Sequence, residues 1–276
     1  MININGLDDL HKIVILNPKG GCGKTTLATN LASGYARRGL TPTLVDCDPQ
    51  GFSMRWLEKR PTTRPMIYGI AAYESEEPLA AQVNPDSKNM IFDLPAALPG
   101  NQLQDYTYTA DSILIPIMPS AVDVYSATRF IAELLLDQQL DRRDQRLVIV
   151  ANRVRSNTKS YRMLKSFLKS LDIPLIAVLR DSQNYVHAIA QGLGLCELPA
   201  YRIKNDVQQI DAIFTWLDRQ RVKVRIFPTA EQRQGMIAEI AFRRAQDRGF
   251  DSGDPLTDWV EAERELNESL MSGVGG

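Results

Sequence analysis

Aliphatic and β-branched runs alternate with amphipathic stretches along most of the chain. The apolar runs at 12–17, 42–46, 89–93, 112–117, 146–151 and 175–179 have the length and the bounding turn residues of strands. Helix-period segments are expected up to 38 after the first run, over 122–139, over 158–171 and over 182–191. The stretch 203–221 reads as a final helix with Ile203, Val207, Ile210, Ile213, Phe214 and Leu217 on one face. That alternation predicts an α/β fold, a doubly wound, mostly parallel sheet with helices on both faces. Ligands of such sheets collect at the carboxyl ends of the strands.

The pattern changes after Pro228. Thr229-Ala230-Glu231-Gln232 has the spacing of a capping box and starts a helix expected to end at Gly249. Ser252-Gly253-Asp254-Pro255 makes a turn and cap, and a second helix runs to about Leu270. Ile237, Ile240 and Ala241 on the first helix face Leu256, Trp259, Ala262 and Leu266 on the second. The reading is two parts, 1–225 and a helical hairpin over 226–276 that is too small to hold a core by itself. Such a hairpin should dock as a cap, a brace or an adaptor, and Ser272–Gly276 should fray.

Composition changes this picture little. At 276 residues, 44% hydrophobic and 24% charged, the chain suits a soluble α/β domain with a small appendage. No apolar run reaches the ~20 residues of a membrane span, and the first residues lack an export signal, so a cytoplasmic protein is expected. Cys22, Cys47 and Cys196 form neither a disulfide framework nor a zinc pattern. Charge matters more. Net charge is −1, yet residues 141–225 hold sixteen Lys/Arg against eight Asp/Glu, while 226–276 hold five against ten. A basic segment in a near-neutral chain is a candidate polyanion-binding face.

The chemistry starts at Asn17-Pro18-Lys19-Gly20-Gly21-Cys22-Gly23-Lys24-Thr25-Thr26, between the first strand and the first helix. Gly20, Gly21 and Gly23 let backbone N–H groups converge on phosphate oxygens, aided by the positive end of the helix. Lys24 is placed to reach the β- and γ-phosphates and the Thr25 hydroxyl to ligate Mg²⁺. Asp46 and Asp48, in Leu44-Val45-Asp46-Cys47-Asp48-Pro49-Gln50-Gly51, end the second strand on one side. One is suited to position the attacking water and the other to support the Mg²⁺ shell. Asp93 closes Asn89-Met90-Ile91-Phe92-Asp93 and is expected to hold Mg²⁺ through water. Asp111 reads as a turn residue.

Together these segments resemble the ParA/MinD family of ATPases. Lys19-Gly20-Gly21-Cys22-Gly23-Lys24-Thr25 resembles its deviant Walker A motif, Asp46-Cys47-Asp48-Pro49-Gln50-Gly51 its second motif, and Ile91-Phe92-Asp93-Leu94-Pro95 its Walker B. Val150-Ala151-Asn152-Arg153 resembles the strand end where the family's asparagine meets adenine, and the likeness covers roughly residues 12–220. The resemblance implies ATP and Mg²⁺ as cofactors, with Lys19 to Thr26, Asn152 and Arg153 around the nucleotide. It implies that Lys19 crosses to the partner's nucleotide in an ATP-bound homodimer. Lys24, Asp48 and Asp46 would then serve hydrolysis, while Thr25 holds Mg²⁺ directly and Asp93 and Asp46 hold it through water. Cys22 and Cys47 read as small fillers beside the phosphates.

Within the family, the acidic second tail helix has the wrong sign for an anionic bilayer, so a membrane-binding, MinD-like member is disfavoured. The short stretch before the first strand leaves no room for an N-terminal helix-turn-helix, so DNA binding is expected to be sequence-independent. Ala177-Val178-Leu179-Arg180 resembles the segment carrying a DNA-contacting arginine, and Arg202, Lys204, Arg219, Arg221, Lys223 and Arg225 extend the candidate patch. The resemblance thus implies a nucleoid-associated, ParA-type positioning ATPase acting on a plasmid, a chromosome or a protein body such as a carboxysome. Its partners would be a second copy, double-stranded DNA and a ParB-like or cargo-adaptor activator of slow hydrolysis. The alternative is a cytosolic metabolic or metal-cluster-maturation ATPase of the same fold that does not touch DNA.

Overall fold

The computed structural model describes residues 10–75, 77–136, 145–171, 173–222, 230–247 and 254–272; for 136, 170–171, 221–222, 230–232, 247 and 267–272 only the backbone is described. Seven strands make one sheet: β1 (His11–Ile15), β2 (Pro42–Asp46), β3 (Tyr68–Ala71), β4 (Asn89–Asp93), β5 (Ser112–Ile117), β6 (Leu147–Val154) and β7 (Leu175–Arg180), in the order β3-β2-β4-β1-β5-β6-β7. Every pair is parallel. The helices that connect them are α1 (Lys24–Arg37), α2 (Phe52–Glu58), α3 (Leu79–Gln82), α4 (Gly100–Thr109), α5 (Ala121–Leu136), α6 (Lys159–Leu171), α7 (Gln183–Ala190) and α8 (Ala200–Val222).

Strand alternation sends side chains into two apolar layers. Val14 and Leu16 enter one with Leu103, Phe130, Ile131, Leu134, Leu164 and Leu168, so α4, α5 and α6 cover that face. Ile13 and Ile15 enter the other with Leu27, Leu31, Tyr35, Trp56, Ile210, Ile213 and Phe214, so α1, α2 and α8 cover the opposite one. Full burial of each aliphatic side chain is worth about 1.5–3 kcal/mol. β1, buried along its whole length, therefore fixes the start of the glycine-rich loop. Behind that loop, Tyr35 and Phe214 pack edge to face at 5.0 Å, joining α1 to α8.

The expected strands are present, and the sheet is wholly parallel. β3 was not expected: Tyr68-Gly69-Ile70-Ala71 is a short edge strand in which only Ile70 is buried, too little apolar signal to stand out. Helices α2, α3 and α4 were not expected either; two are short and α4 is mostly polar. α8 begins at Ala200, three residues earlier than its apolar stripe indicates. Residues 137–139 of the expected 122–139 helix lie outside the described residues, as do the boundary at 225/226, Gly249, Ser252 and Gly253.

The chain divides into compact units at Val222/Lys223. In the second, α9 (Ala230–Asp247) and α10 (Pro255–Ser272) form the hairpin. Ile237, Ala262 and Leu266 are buried, with Ile240, Ala241 and Trp259 against them. Leu256, counted on the inner stripe, is exposed instead: it sits in the first turn of α10, outside the contact. Arg233 pairs with Glu263 at 2.9 Å and Arg244 with Glu265 at 3.0 Å, so arginines of α9 meet part of the acidic excess of α10. No described helix is long and apolar enough to cross a membrane.

Candidate active site

The loop from Asn17 to Gly23 leaves β1 at the carboxyl edge of the sheet and enters α1 at Lys24. Asn17 braces it, donating from Nδ2 to Pro116 O at 2.7 Å and accepting from Lys19 N at 2.8 Å. Gly23 closes the turn with φ +104°, and a Cβ there would stand 2.1 Å from Asn152 Nδ2, so only glycine fits on both counts. Asn152, at the end of β6, donates to Cys22 O at 2.8 Å. Its side chain therefore supports the loop backbone, while Arg153 beside it is exposed at φ 50°.

Lys24 is 8% exposed. Its ammonium donates to Asn17 O at 3.1 Å and Lys19 O at 3.4 Å, and it forms no ion pair among the described residues. A buried ammonium met only by carbonyls is poorly compensated, a condition that an anion relieves. Lys19 behaves differently: its Nζ lies 2.6 Å from Asp123 Oδ2, an acid 4% exposed near the start of α5. Thr25 and Thr26 occupy the first turn of α1, both half-buried or nearly so.

Three carboxylates stand at adjacent strand ends. Asp46 and Asp93 are register partners on β2 and β4, and Ile15 of β1 is the other neighbour of Asp93. Asp46 is fully buried; Oδ1 accepts from Asp48 N and Oδ2 from Met54 N, both at 3.1 Å. Burial raises its pKa against those backbone bonds. The observed bonds make Asp46 a clamp on residues 47–54, which is how it holds Asp48 in place. Asp48 is half-buried and spends Oδ1 on Gln50 N at 2.9 Å.

Asp93 accepts from Ser53 Oγ at 2.7 Å through Oδ2, and its Oδ1 is buried without a hydrogen-bond partner. Burial, offset by the Ser53 and Thr25 hydroxyls, pushes its pKa up to about 6. An orphaned carboxylate oxygen beside Thr25 fits a hydrated divalent cation. Ser53 escaped the sequence reading because a serine in the first turn of an unexpected helix carries no signal of its own. Burial raises the Cys22 thiol and pushes Cys47 up to about 12, so both stay protonated fillers.

The described basic candidates are spread along β7 and α8. Arg180 is held by Asp206 through Nε and through Nη2 at 3.0 Å, and Asp206 also accepts from Asn184 Nδ2 at 2.7 Å and Ser182 Oγ at 3.2 Å. Arg202, Lys204 and Arg219 are exposed on α8. Arg202 and Lys204 point about 160° apart around the helix, and Arg219 lies ~22 Å along the axis from Lys204. The Arg221 side chain and Lys223 and Arg225 lie outside the described residues. Arg180 is thus tied into the β7–α8 joint rather than standing as a free cation.

That joint gives a test. Burial by itself would raise Asp206, but the Arg180 guanidinium, the Asn184 amide and the Ser182 hydroxyl outweigh it and hold the carboxyl below its usual range. A depressed folded-state pKa gives stability that is present above the unfolded value and is lost as pH falls through the folded one. Asp206→Ala should therefore cost about 2–4 kcal/mol at pH 7, and that difference should shrink below about pH 4. Denaturant melts at pH 7 and pH 3 read both; equal stability at pH 7 would show the network to be ornamental.

A glycine turn between a buried strand and a helix, a buried lysine bonded only to carbonyls and acids on neighbouring strand ends define a P-loop nucleotide-binding protein. The chain belongs to the CobQ/CobB/MinD/ParA nucleotide-binding family, whose domain model matches residues 13–195. A protein of unknown function, DUF2934, matches residues 232–268 in the hairpin. The maintenance of carboxysome distribution protein A of Halothiobacillus neapolitanus is 28% identical over 193 residues, covering 68% of this chain and 88% of that one. A putative plasmid partition protein from Borrelia burgdorferi, solved with AMPPNP, has a TM-score of 0.59 at 16% identity, covering 75% of this chain and 99% of the other. Apo McdA from Cyanothece gives 0.58 at 19%, with 74% and 99% covered. At these identities the two structures are similar in fold.

Proposed function

We propose that the chain is a ParA-type ATPase that dimerises around Mg·ATP, binds DNA without sequence preference and positions a cargo. The observation that carries this is the meeting of Lys19, Lys24, Thr25, Asp48 and Asp93 at the carboxyl ends of β1, β2 and β4. Lys24 receives the phosphate charge in place of the carbonyls it now contacts. The Thr25 hydroxyl and, through water, Asp93 hold the metal, and Asp46 fixes the loop that carries Asp48. Mg²⁺, when bound, neutralises charge on the phosphate oxygens. Asp48 orients water with the oxygen that Gln50 leaves free. Asn152, already against the loop, marks the side on which the base would lie, next to Arg153.

Lys19 is the residue that crosses to a second copy, coupling nucleotide state to self-association and, through it, to DNA affinity. The relatives' names supply the cargo class, a carboxysome or a plasmid, and the activator would be an adaptor carried by that cargo. The protein acts in the cytoplasm on the nucleoid. Binding of the purified protein to random-sequence duplex, with ADP and with ATP plus Mg²⁺, tests this. Tight binding in ATP alone, weakening with salt, is expected. No binding in either state with hydrolysis intact would transfer the chain to the metabolic or maturation branch of the family.

A further inference from the structure

Four of the basic side chains that the sequence places in the second half of the domain lie on α6, without the acids that accompany those on α8. Lys159, Arg162, Lys165 and Lys169 are all exposed, and the helix contains no Asp or Glu. At about 100° per residue the four fall within about a third of the helix circumference. Leu164 and Leu168 on the other side are buried, with Tyr161 and Phe167 half-buried in the same layer. None of the four cations pairs with a carboxylate among the described residues. Lys165 Nζ lies over the Tyr161 ring at 5.7 Å. This contrasts with Arg155 and Arg180, which are paired with Asp181 and Asp206.

Resting on the DNA-binding reading above, we infer that the outer face of α6 is the surface that lies along the phosphate backbone of double-stranded DNA. Lys159 to Lys169 spans about 15 Å along the axis. One DNA strand presents a phosphate every ~3.4 Å of its axis, so the row faces about four phosphates. The alternatives fit less well. An anionic bilayer takes up the apolar side of an amphipathic helix, and the apolar side of α6 is already buried in the domain. A protein partner needs desolvated apolar anchors, and on this helix Met163, at 42% exposure, is the one exposed large apolar side chain among those described. An even row of cations without anchors or base-reading side chains matches a regularly charged rod and reads no sequence.

The test compares the full chain with Lys159→Gln/Arg162→Gln/Lys165→Gln/Lys169→Gln, with the milder Lys165→Gln/Lys169→Gln, and with Arg202→Gln/Lys204→Gln on α8. Each is titrated with a random-sequence duplex in ATP plus Mg²⁺ between about 50 and 200 mM salt. Basal ATP hydrolysis and thermal melts verify that each variant is folded. The α6 variants should bind at least about tenfold more weakly, and the slope of log K against log salt should flatten by about 0.9 for each contact removed. The α8 variant should stay near wild type. Wild-type affinity and slope in the quadruple α6 variant would overturn the inference while leaving DNA binding standing. A wild-type protein that ignores duplex in every nucleotide state would overturn both. Loss by the α6 variants of binding to phosphatidylserine vesicles, with duplex binding unchanged, would assign the face to a membrane and also overturn it.

Discussion

Lys24→Ala should abolish the nucleotide response of this protein without unfolding it. Two opposing effects decide the outcome, and both are visible in the site. The ammonium is buried and its hydrogen bonds among the described residues go to the carbonyls of Asn17 and Lys19, so it is costly to hold in place. Removing it should leave the nucleotide-free melting temperature unchanged or higher. The same ammonium contacts the carbonyls of Asn17 and Lys19, at the start of the turn that carries Gly20, Gly21 and Gly23. Loss of one donor aimed at the charge that develops in a transition state typically lowers turnover by about 10²–10³-fold. A ligand at a hundred times its Kd stabilises a protein by about 2.7 kcal/mol. Wild type should therefore melt later in saturating Mg·ATP, and Lys24→Ala should show no such rise. A retained rise in melting temperature would place the nucleotide elsewhere.

The fold was legible where strands and helices are long and strongly patterned. β1, β2, β4, β5, β6 and β7 are each built around a short apolar run, and α8 declares itself through Ile203, Ile210, Ile213, Phe214 and Leu217. What stayed hidden is short or depends on contacts distant in sequence. β3 gains its place by pairing with β2, from Thr43 opposite Tyr68 to Asp46 opposite Ala71. The buried pair of Arg60 with Glu197, at 2.7 Å, joins residues far apart in the chain and has no local signature. In the site, glycine spacing and strand-end acids could be read in advance because local geometry sets them. The partners that share out those side chains could not: Ser53 on Asp93, Asp206 on Arg180 and Asp123 on Lys19 each join separate elements. The total charge of residues 141–225 was readable as well, but which side chains share a face depends on which helix carries them.

The Lys19–Asp123 pair sets up opposite responses to two substitutions. Asp123 is buried, and the Ser120 hydroxyl shares its Oδ2 with Lys19 while Oδ1 has no hydrogen-bond partner. Among the described residues its one ion-pair partner is therefore Lys19, the residue proposed to serve a second copy. Lys19→Ala removes the crossing group and should leave the protein monomeric in ATP plus Mg²⁺, with hydrolysis lost. It also strands a buried carboxylate, so Lys19→Ala/Asp123→Asn should restore stability without restoring the dimer. Asp123→Asn alone keeps Lys19 and weakens its hold within the protomer. A partly exposed pair of this kind is worth up to about 1 kcal/mol. Two pairs are released per dimer, so the dimer should tighten by up to about 30-fold. Sedimentation across a protein dilution series in ATP reads both directions at once. If Asp123→Asn weakened the dimer as Lys19→Ala does, the carboxylate would be a positioning residue for Lys19 in the dimer, and the pair would not restrain it in the monomer.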